Sequence, residues 1–251
     1  MANQGSWPSI AYLRWNYKAR VQVNDGSYKN LSTGIACDGT LISRSLILTA
    51  AHCIPLSISL YDFSTGDSYT VRVVPNEFYP TVGSMFSIYL GLHNKSSIAL
   101  DGTYSLPTIK VNAIDAFVVL ITLFLLIKSI IVILSLKKLN KHPSFSGTST
   151  LRNDLGLIRL AYNVTLNNYI QLACLPSQLS ISFPGTSGDA YAAGWGLTQS
   201  FGYSTPDLLF NVKLSIYSSS QCLYSSYFDP GMICAGKTNR IVLTIFSQEC
   251  F

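Results

Sequence analysis

Two short stretches of the 251-residue chain hold the side chains best suited to moving protons. Leu48-Thr49-Ala50-Ala51-His52-Cys53 places an imidazole beside a thiol, and Asn153-Asp154-Leu155-Gly156-Leu157-Ile158-Arg159-Leu160 sets a carboxylate at the head of an apolar run. Histidine titrates near neutrality, which suits it to general acid–base work. Taken singly, His52 reads as a packed or surface histidine, and Asp154 as a turn residue that starts a strand. The six cysteines are too few for a disulfide-built miniprotein and suit a larger secreted fold with a few staples.

The elements that would have to position these groups read as short strands. Ile10–Trp15 and Ala19–Val23 precede Asn24-Asp25-Gly26, a hairpin-type turn. Leu41–Ser43, Leu46–Leu48, Tyr69–Val74, Phe86–Leu90, Leu157–Leu160, Tyr191–Trp195 and Leu209–Leu214 continue the series, with turn residues between them. Regular short strands punctuated by Gly, Pro, Ser and Asn predict a sandwich or barrel, and no internal repeat is present. Apolar residues make up 48% of the chain and charged residues 12%, which excludes a disordered chain, a coiled coil and a nucleic-acid-binding tail. The net charge of +5 comes from scattered basic residues, without the patch or stripe that nucleic acid requires.

One segment breaks the strand pattern. Ala116–Leu136 is apolar except for Thr122, Lys128, Ser129 and Ser135, long enough to cross a bilayer and flanked by Lys137, Lys138 and Lys141. Lys128 near its middle is costly at that depth. Residues 1–8 have neither the basic nor the apolar region of a signal peptide. Three N-glycosylation sequons (Asn30-Leu31-Ser32, Asn94-Lys95-Ser96 and Asn163-Val164-Thr165) and an even number of cysteines nevertheless point to a secretory protein.

The run Leu48–Cys53 resembles the histidine motif of the trypsin-like serine proteases, and Gly5-Ser6-Trp7-Pro8 and Cys37-Asp38-Gly39-Thr40-Leu41-Ile42-Ser43 upstream agree with it. Asn153–Leu160 is similar to the aspartate motif of that family, in the order histidine then aspartate. Gln171–Pro176 looks like the inter-lobe linker, and Ala193-Gly194-Trp195-Gly196 like the first signature of a second barrel. Cys222 and Met232-Ile233-Cys234-Ala235-Gly236 look like a cysteine pair bracketing a short loop. The resemblance spans residues 5–110 and 138–236.

The resemblance implies an all-β fold of two antiparallel six-stranded barrels with the second barrel incomplete, in one peptidase domain over 5–251. The first barrel covers about 5–165 and is interrupted by an apolar insert at 111–137; the partial second barrel covers about 177–236, and 237–251 is a foreign tail. His52 is then the general base and Asp154 the acid that orients it, with disulfides Cys37–Cys53 and Cys222–Cys234. The partner of Cys174 is commonly in the propeptide, and a cysteine common in the family is replaced by Ala190. The implied activity is serine-type endopeptidase action on polypeptide substrates outside the cell, with no cofactor, no metal and no nucleic acid.

The nucleophile segment is where the resemblance stops. After Gly236 the family continues into a Gly-Asp-Ser-Gly-Gly loop, whereas this chain reads Lys237-Thr238-Asn239-Arg240-Ile241-Val242-Leu243-Thr244-Ile245-Phe246-Ser247. Ser247 has no flanking glycines to form an oxyanion hole. Ser187 in Gly185-Thr186-Ser187-Gly188-Asp189 precedes Gly194-Trp195-Gly196 and maps to a surface turn. The 251 residues are therefore expected to be inactive by themselves. Two alternatives are a non-catalytic protease homologue that binds a protein partner, and a membrane protein spanning through 116–136. Against the second, a spanning helix cannot lie in a bilayer while its flanking strands pair in water. A third expectation makes 111–137 and 237–251 translated introns, because Val111-Asn112 and Gly236-Lys237 can each be encoded by a splice donor.

Overall fold

A computed structural model of the chain describes residues 1–98, 108–118, 154–175, 189–198, 204–218, 234–237 and 240–244. Twelve strands are described: β1 (Ile10–Gln22), β2 (Tyr28–Ser43), β3 (Leu46–Thr49), β4 (Ser57–Asp62), β5 (Asp67–Arg72) and β6 (Phe86–Leu90), then β7 (Ile109–Val118), β8 (Gly156–Leu160), β9 (Asp189–Gly194), β10 (Phe210–Tyr217), β11 (Cys234–Lys237) and β12 (Arg240–Thr244). Six of them close into an antiparallel barrel in the order β1-β2-β3-β8-β7-β6. The strands β12-β11-β10-β9 form a four-stranded sheet, and β4 and β5 form a separate hairpin.

The barrel follows from period-2 patterning. Along β1, Ala11, Leu13, Trp15 and Tyr17 face the barrel interior, where they meet Leu41, Ile47, Phe86, Ile88, Leu90, Val111, Ile158 and Leu160. The alternate residues Ile10 and Tyr12 face the other way, into a second cluster with Trp7, Tyr89, Leu92, Trp195 and Leu209. β1 and β6 thus each serve two cores, one on each face. At the β1–β2 hairpin, Gly26 takes φ +82°, the left-handed conformation that glycine adopts without a Cβ clash.

Three features differ from the sequence expectations. Ile10–Trp15 and Ala19–Val23 are one strand, because Asn16, Tyr17 and Lys18 pair with Gly34, Thr33 and Ser32 across the ladder. Two strand regions go beyond those expected: the mostly polar first half of β2, and β4, whose short Ser57-Ile58-Ser59-Leu60 alternation pairs with β5. The third concerns the expected insert, whose first eight residues belong to the barrel. Val111 pairs with Ile88 on one side, and Ala116–Val118 pair with Ile158, Leu157 and Gly156 on the other. The alternation of buried Val111, exposed Asn112 and buried Ala113 is that of a half-buried strand. Residues 119–137 lie outside the described residues, as do Cys222, Ser187, Ser247 and Cys250. Within the expected foreign tail, Arg240–Thr244 pairs with β11. Among the described residues no helix is long and apolar enough to cross a membrane.

Candidate active site

Adjacent strands bring His52 and Asp154 together. β3 and β8 run antiparallel with Thr49 opposite Gly156, so the end of β3 meets the start of β8. His52 lies three residues beyond Thr49, in the 3-10 turn Ala51–Cys53, and Asp154 lies two residues before Gly156. Residues 102 positions apart in sequence therefore become neighbours through one four-residue ladder. Gly156 permits the close approach: a Cβ there would lie 2.8 Å from Ile54 Cδ1 and 3.2 Å from the Ala50 carbonyl oxygen.

The two side chains are fixed to each other at two points. The His52 backbone N–H donates to Asp154 Oδ1 at 2.8 Å, and His52 Nδ1 lies 2.6 Å from Asp154 Oδ2. Asp154 is 2% exposed, whereas the His52 side chain is 43% exposed. The hydrogen bond to the buried carboxylate, helped by its charge, raises the His52 pKa above the ordinary histidine value, while partial burial opposes the rise. With Nδ1–H given to the carboxylate, the neutral ring presents Nε2 as its basic nitrogen. A partly exposed imidazole held by a buried carboxylate is an arrangement for accepting a proton from a hydroxyl and holding it.

A disulfide between Cys37 and Cys53 ties the histidine turn to β2, with the Cα atoms 6.2 Å apart. A loop of this length limits the unfolded chain by about 3 kcal/mol on the entropic account. Cys234 is also disulfide-bonded. Among the described residues, the group Cys37, His52 and Cys53 is close enough together to hold a metal, but both sulfurs are consumed by the disulfide.

Beside Cys37 lies a group that sequence reasoning passed over. Asp38 Oδ2 accepts the Trp195 backbone N–H at 3.2 Å, and a Cβ on Gly194 would sit 2.5 Å from that same oxygen. The Asp38 carboxyl is raised to about 6, chiefly by burial, with the Trp195 N–H and the Lys95 charge acting against the rise. The Asp38 carbonyl accepts the Thr49 hydroxyl at 2.9 Å, so this one residue touches β3, the histidine loop's disulfide and the β9 turn. The neighbouring seam is built from backbone bonds: Lys95 N–H to the Asp207 carbonyl at 2.8 Å, Leu209 N–H to the His93 carbonyl at 2.8 Å, and Ala2 N–H to the Leu209 carbonyl at 3.0 Å. The only sequence signal for Asp38 was an acid directly after a cysteine, in a run otherwise built of small and apolar residues.

The closed barrel and the sheet beside it define an all-β fold of the trypsin-like type. The family model described as Trypsin matches residues 8–82 and 131–241, and the chain belongs to the trypsin family. It is similar to chymotrypsin-like elastase family member 1 of Rattus norvegicus, 30% identical over 240 residues that cover 94% of this chain and 64% of that protein. It is also similar to mannan-binding lectin serine protease 1 of Mus musculus, 26% identical over 209 residues that cover 80% of this chain and 23% of that protein. The chain thus spans just under two thirds of the length of the rat relative. The fold is shared with a solved structure described as "Structure of GrC", at 19% identity and a TM-score of 0.58, over 94% of this chain and 74% of that one.

Proposed function

We propose that this chain carries the general base and the orienting acid of a secreted serine endopeptidase, with His52 as the base and Asp154 as the acid. The observation that carries this reading is the two-point attachment of a partly exposed imidazole to a buried carboxylate, at 2.6 Å and 2.8 Å. In that chemistry Nε2 takes the proton of a serine hydroxyl as its oxygen attacks the scissile carbonyl. Asp154 holds the tautomer and stabilises the imidazolium, and the proton is later given to the leaving amine. Family membership and the Cys37–Cys53 disulfide support a polypeptide substrate and an oxidising compartment.

The serine is the missing partner within these 251 residues, since Gly-Asp-Ser-Gly-Gly does not occur in them. The polypeptide of residues 1–251 is therefore expected to show no turnover on ester or amide substrates with Arg, Lys, Phe or Ala at the cleaved position. The base assignment is tested by replacing residues 237–251 with the serine-bearing segment of a trypsin family member. Turnover should appear in that chimera and fall on the order of 10⁴-fold with His52→Ala. Turnover by residues 1–251 alone that vanishes with His52→Ala would overturn the inactivity. An active chimera indifferent to His52→Ala would overturn the assignment.

A further inference from the structure

The three sequons are not equivalent once the chain is folded. In Asn30-Leu31-Ser32 the middle residue is buried in the barrel core, while Asn30 and Ser32 are exposed on the outer face of β2. Strand alternation produces this arrangement, since residues two apart share a face. Asn163-Val164-Thr165 repeats it beyond the end of β8. Val164 is buried and its N–H donates to the Arg44 carbonyl at 2.8 Å, while Asn163 and Thr165 are exposed. In both places an apolar anchor holds the backbone, and the carboxamide and the hydroxyl stand in water on either side of it.

Asn94-Lys95-Ser96 is built differently. Asn94 is half-buried, and its side-chain oxygen accepts the Ser96 N–H at 3.0 Å as the cap of the 3-10 turn Lys95–Ser97. Its carbonyl accepts both the N–H and the hydroxyl of Ser97, at 3.1 Å and 2.6 Å. Asn94 also forms a β-bridge with Leu208, and Lys95 reaches Asp207 through its backbone and Thr205 through its ammonium. This sequon is part of the seam between the barrel and the second sheet.

We propose that Asn30 and Asn163 are N-glycan acceptor sites and that Asn94 is not. An N-glycan is bulky and hydrophilic, and it is joined to the chain before folding is complete; the sugar must then remain in water in the folded protein. Asn30 and Asn163 meet that requirement without disturbing a contact. A glycan on Asn94 would be attached to a half-buried carboxamide that caps its own 3-10 turn, in a segment whose backbone is bonded to Asp207 and Leu209. The donor class is an oligosaccharide linked through a diphosphate to a lipid. The Asn Nδ2–C1 bond forms as the sugar's C1–O bond to the diphosphate breaks, the lipid diphosphate leaves with the electron pair, and the amide gives up one proton to base. The inference rests on the secretory reading of the chain, and a heterologous leader separates the two in the experiment.

The 251-residue chain is expressed in eukaryotic cells behind such a leader. The secreted protein, or the microsomal fraction if the chain is retained, is treated with peptide N-glycosidase in ¹⁸O-water and mapped by mass spectrometry. The expected result is ¹⁸O-labelled aspartate at positions 30 and 163 and unmodified Asn94. The double variant Asn30→Gln with Asn163→Gln should lose every glycosidase-sensitive gel shift, and Asn94→Gln should lose none. Absence of label at either Asn30 or Asn163, or label at Asn94 to a comparable extent, would overturn the proposal. Failure of the natural chain to enter the secretory route would refute the secretory reading while leaving acceptor competence as measured.

Discussion

The barrel β1-β2-β3-β8-β7-β6 and the sheet β9–β12 are built from similar strands but do different work. In the barrel every strand has two partners, and one continuous core unites residues from Ala11 to Ile170. Both members of the His–Asp pair come from this unit, set by the β3–β8 ladder and the Cys37–Cys53 disulfide. The described part of the second sheet supplies neither of them. Its contribution is the face that Trp195 and Leu209 lay on the outer sides of β1 and β6. Within this fold, building the base and holding the base against a second lobe are separable tasks. The first belongs to a closed ladder of hydrogen bonds, the second to a seam of backbone bonds and one buried acid.

The largest expected effect separates the two units by core packing. Ile158 is 0% exposed in the middle of β8, between β3 and β7, and Ile158→Ala should lower stability by about 2–5 kcal/mol. Because Asp154 lies two residues before the start of β8, the same change should loosen the His52–Asp154 contact. Leu214 on β10 is buried as well, yet among the described residues it belongs to neither core cluster. Leu214→Ala should therefore cost less. Denaturant unfolding of both variants decides it, and an equal or greater loss at Leu214 would break the contrast between a self-sufficient barrel and a lighter second sheet.

A smaller effect sharpens the seam. The Asp38 carboxyl is raised from 3.8 to about 6 in the folded chain, so the unfolded chain ionises first as pH rises. Stability from this group is fully present below about pH 4 and falls as pH climbs to about 6, by at most about 3 kcal/mol at 1.36 kcal/mol per pH unit. The charged and titratable groups facing it are Lys95, which opposes the rise, and Tyr12. Asp38→Asn retains an acceptor for the Trp195 N–H and removes the charge. The variant should lose the decline between pH 4 and 6 in its melting temperature, and a decline identical to that of the parent chain would show that Asp38 is not its source.

The sequence announced the site more clearly than its setting. His52 and Asp154 stood out because their flanking runs match a family, and the structure places both within hydrogen-bond reach. The core strands β6 and β8 were legible within a residue, because Phe86–Leu90 and Leu157–Leu160 are strongly apolar and most of their residues are buried. β4 and the first half of β2 were not, since Ser57-Ile58-Ser59 and Ser32-Thr33-Gly34 are largely polar and take their strand state from their hairpin partners in β5 and β1. The stretch Val111–Val118 is set apart in the sequence by a splice-donor reading of Val111-Asn112, not by hydropathy, whose apolar run begins at Ala116. Val111, Asn112 and Ala113 alternate buried, exposed and buried in a strand flanked by β6 and β8. Asp38 illustrates the last limit. What sets its chemistry is burial beneath Trp195, 157 residues away, whose backbone N–H only moderates the rise, and no local pattern encodes that.

The smallest effect concerns the pair itself. The Asp154 carboxylate raises the His52 pKa above 6.5, so the protonated ring is bound more tightly in the folded chain than in the unfolded one. Stability from this source is fully present below about pH 6.5 and is lost as pH rises through the folded value. Since the ring is about half exposed, water screens the interaction, and the melting temperature should move little across that window. The titration itself is the sharper readout. In Asp154→Asn the charge is gone, and NMR of the ring protons should show the His52 midpoint falling back toward the ordinary histidine value. Asp38→Asn should leave that midpoint in place if the barrel alone sets the pair. A His52 midpoint that moves as far with Asp38→Asn as with Asp154→Asn would mean that the seam reaches into the site, and that the two tasks are coupled after all.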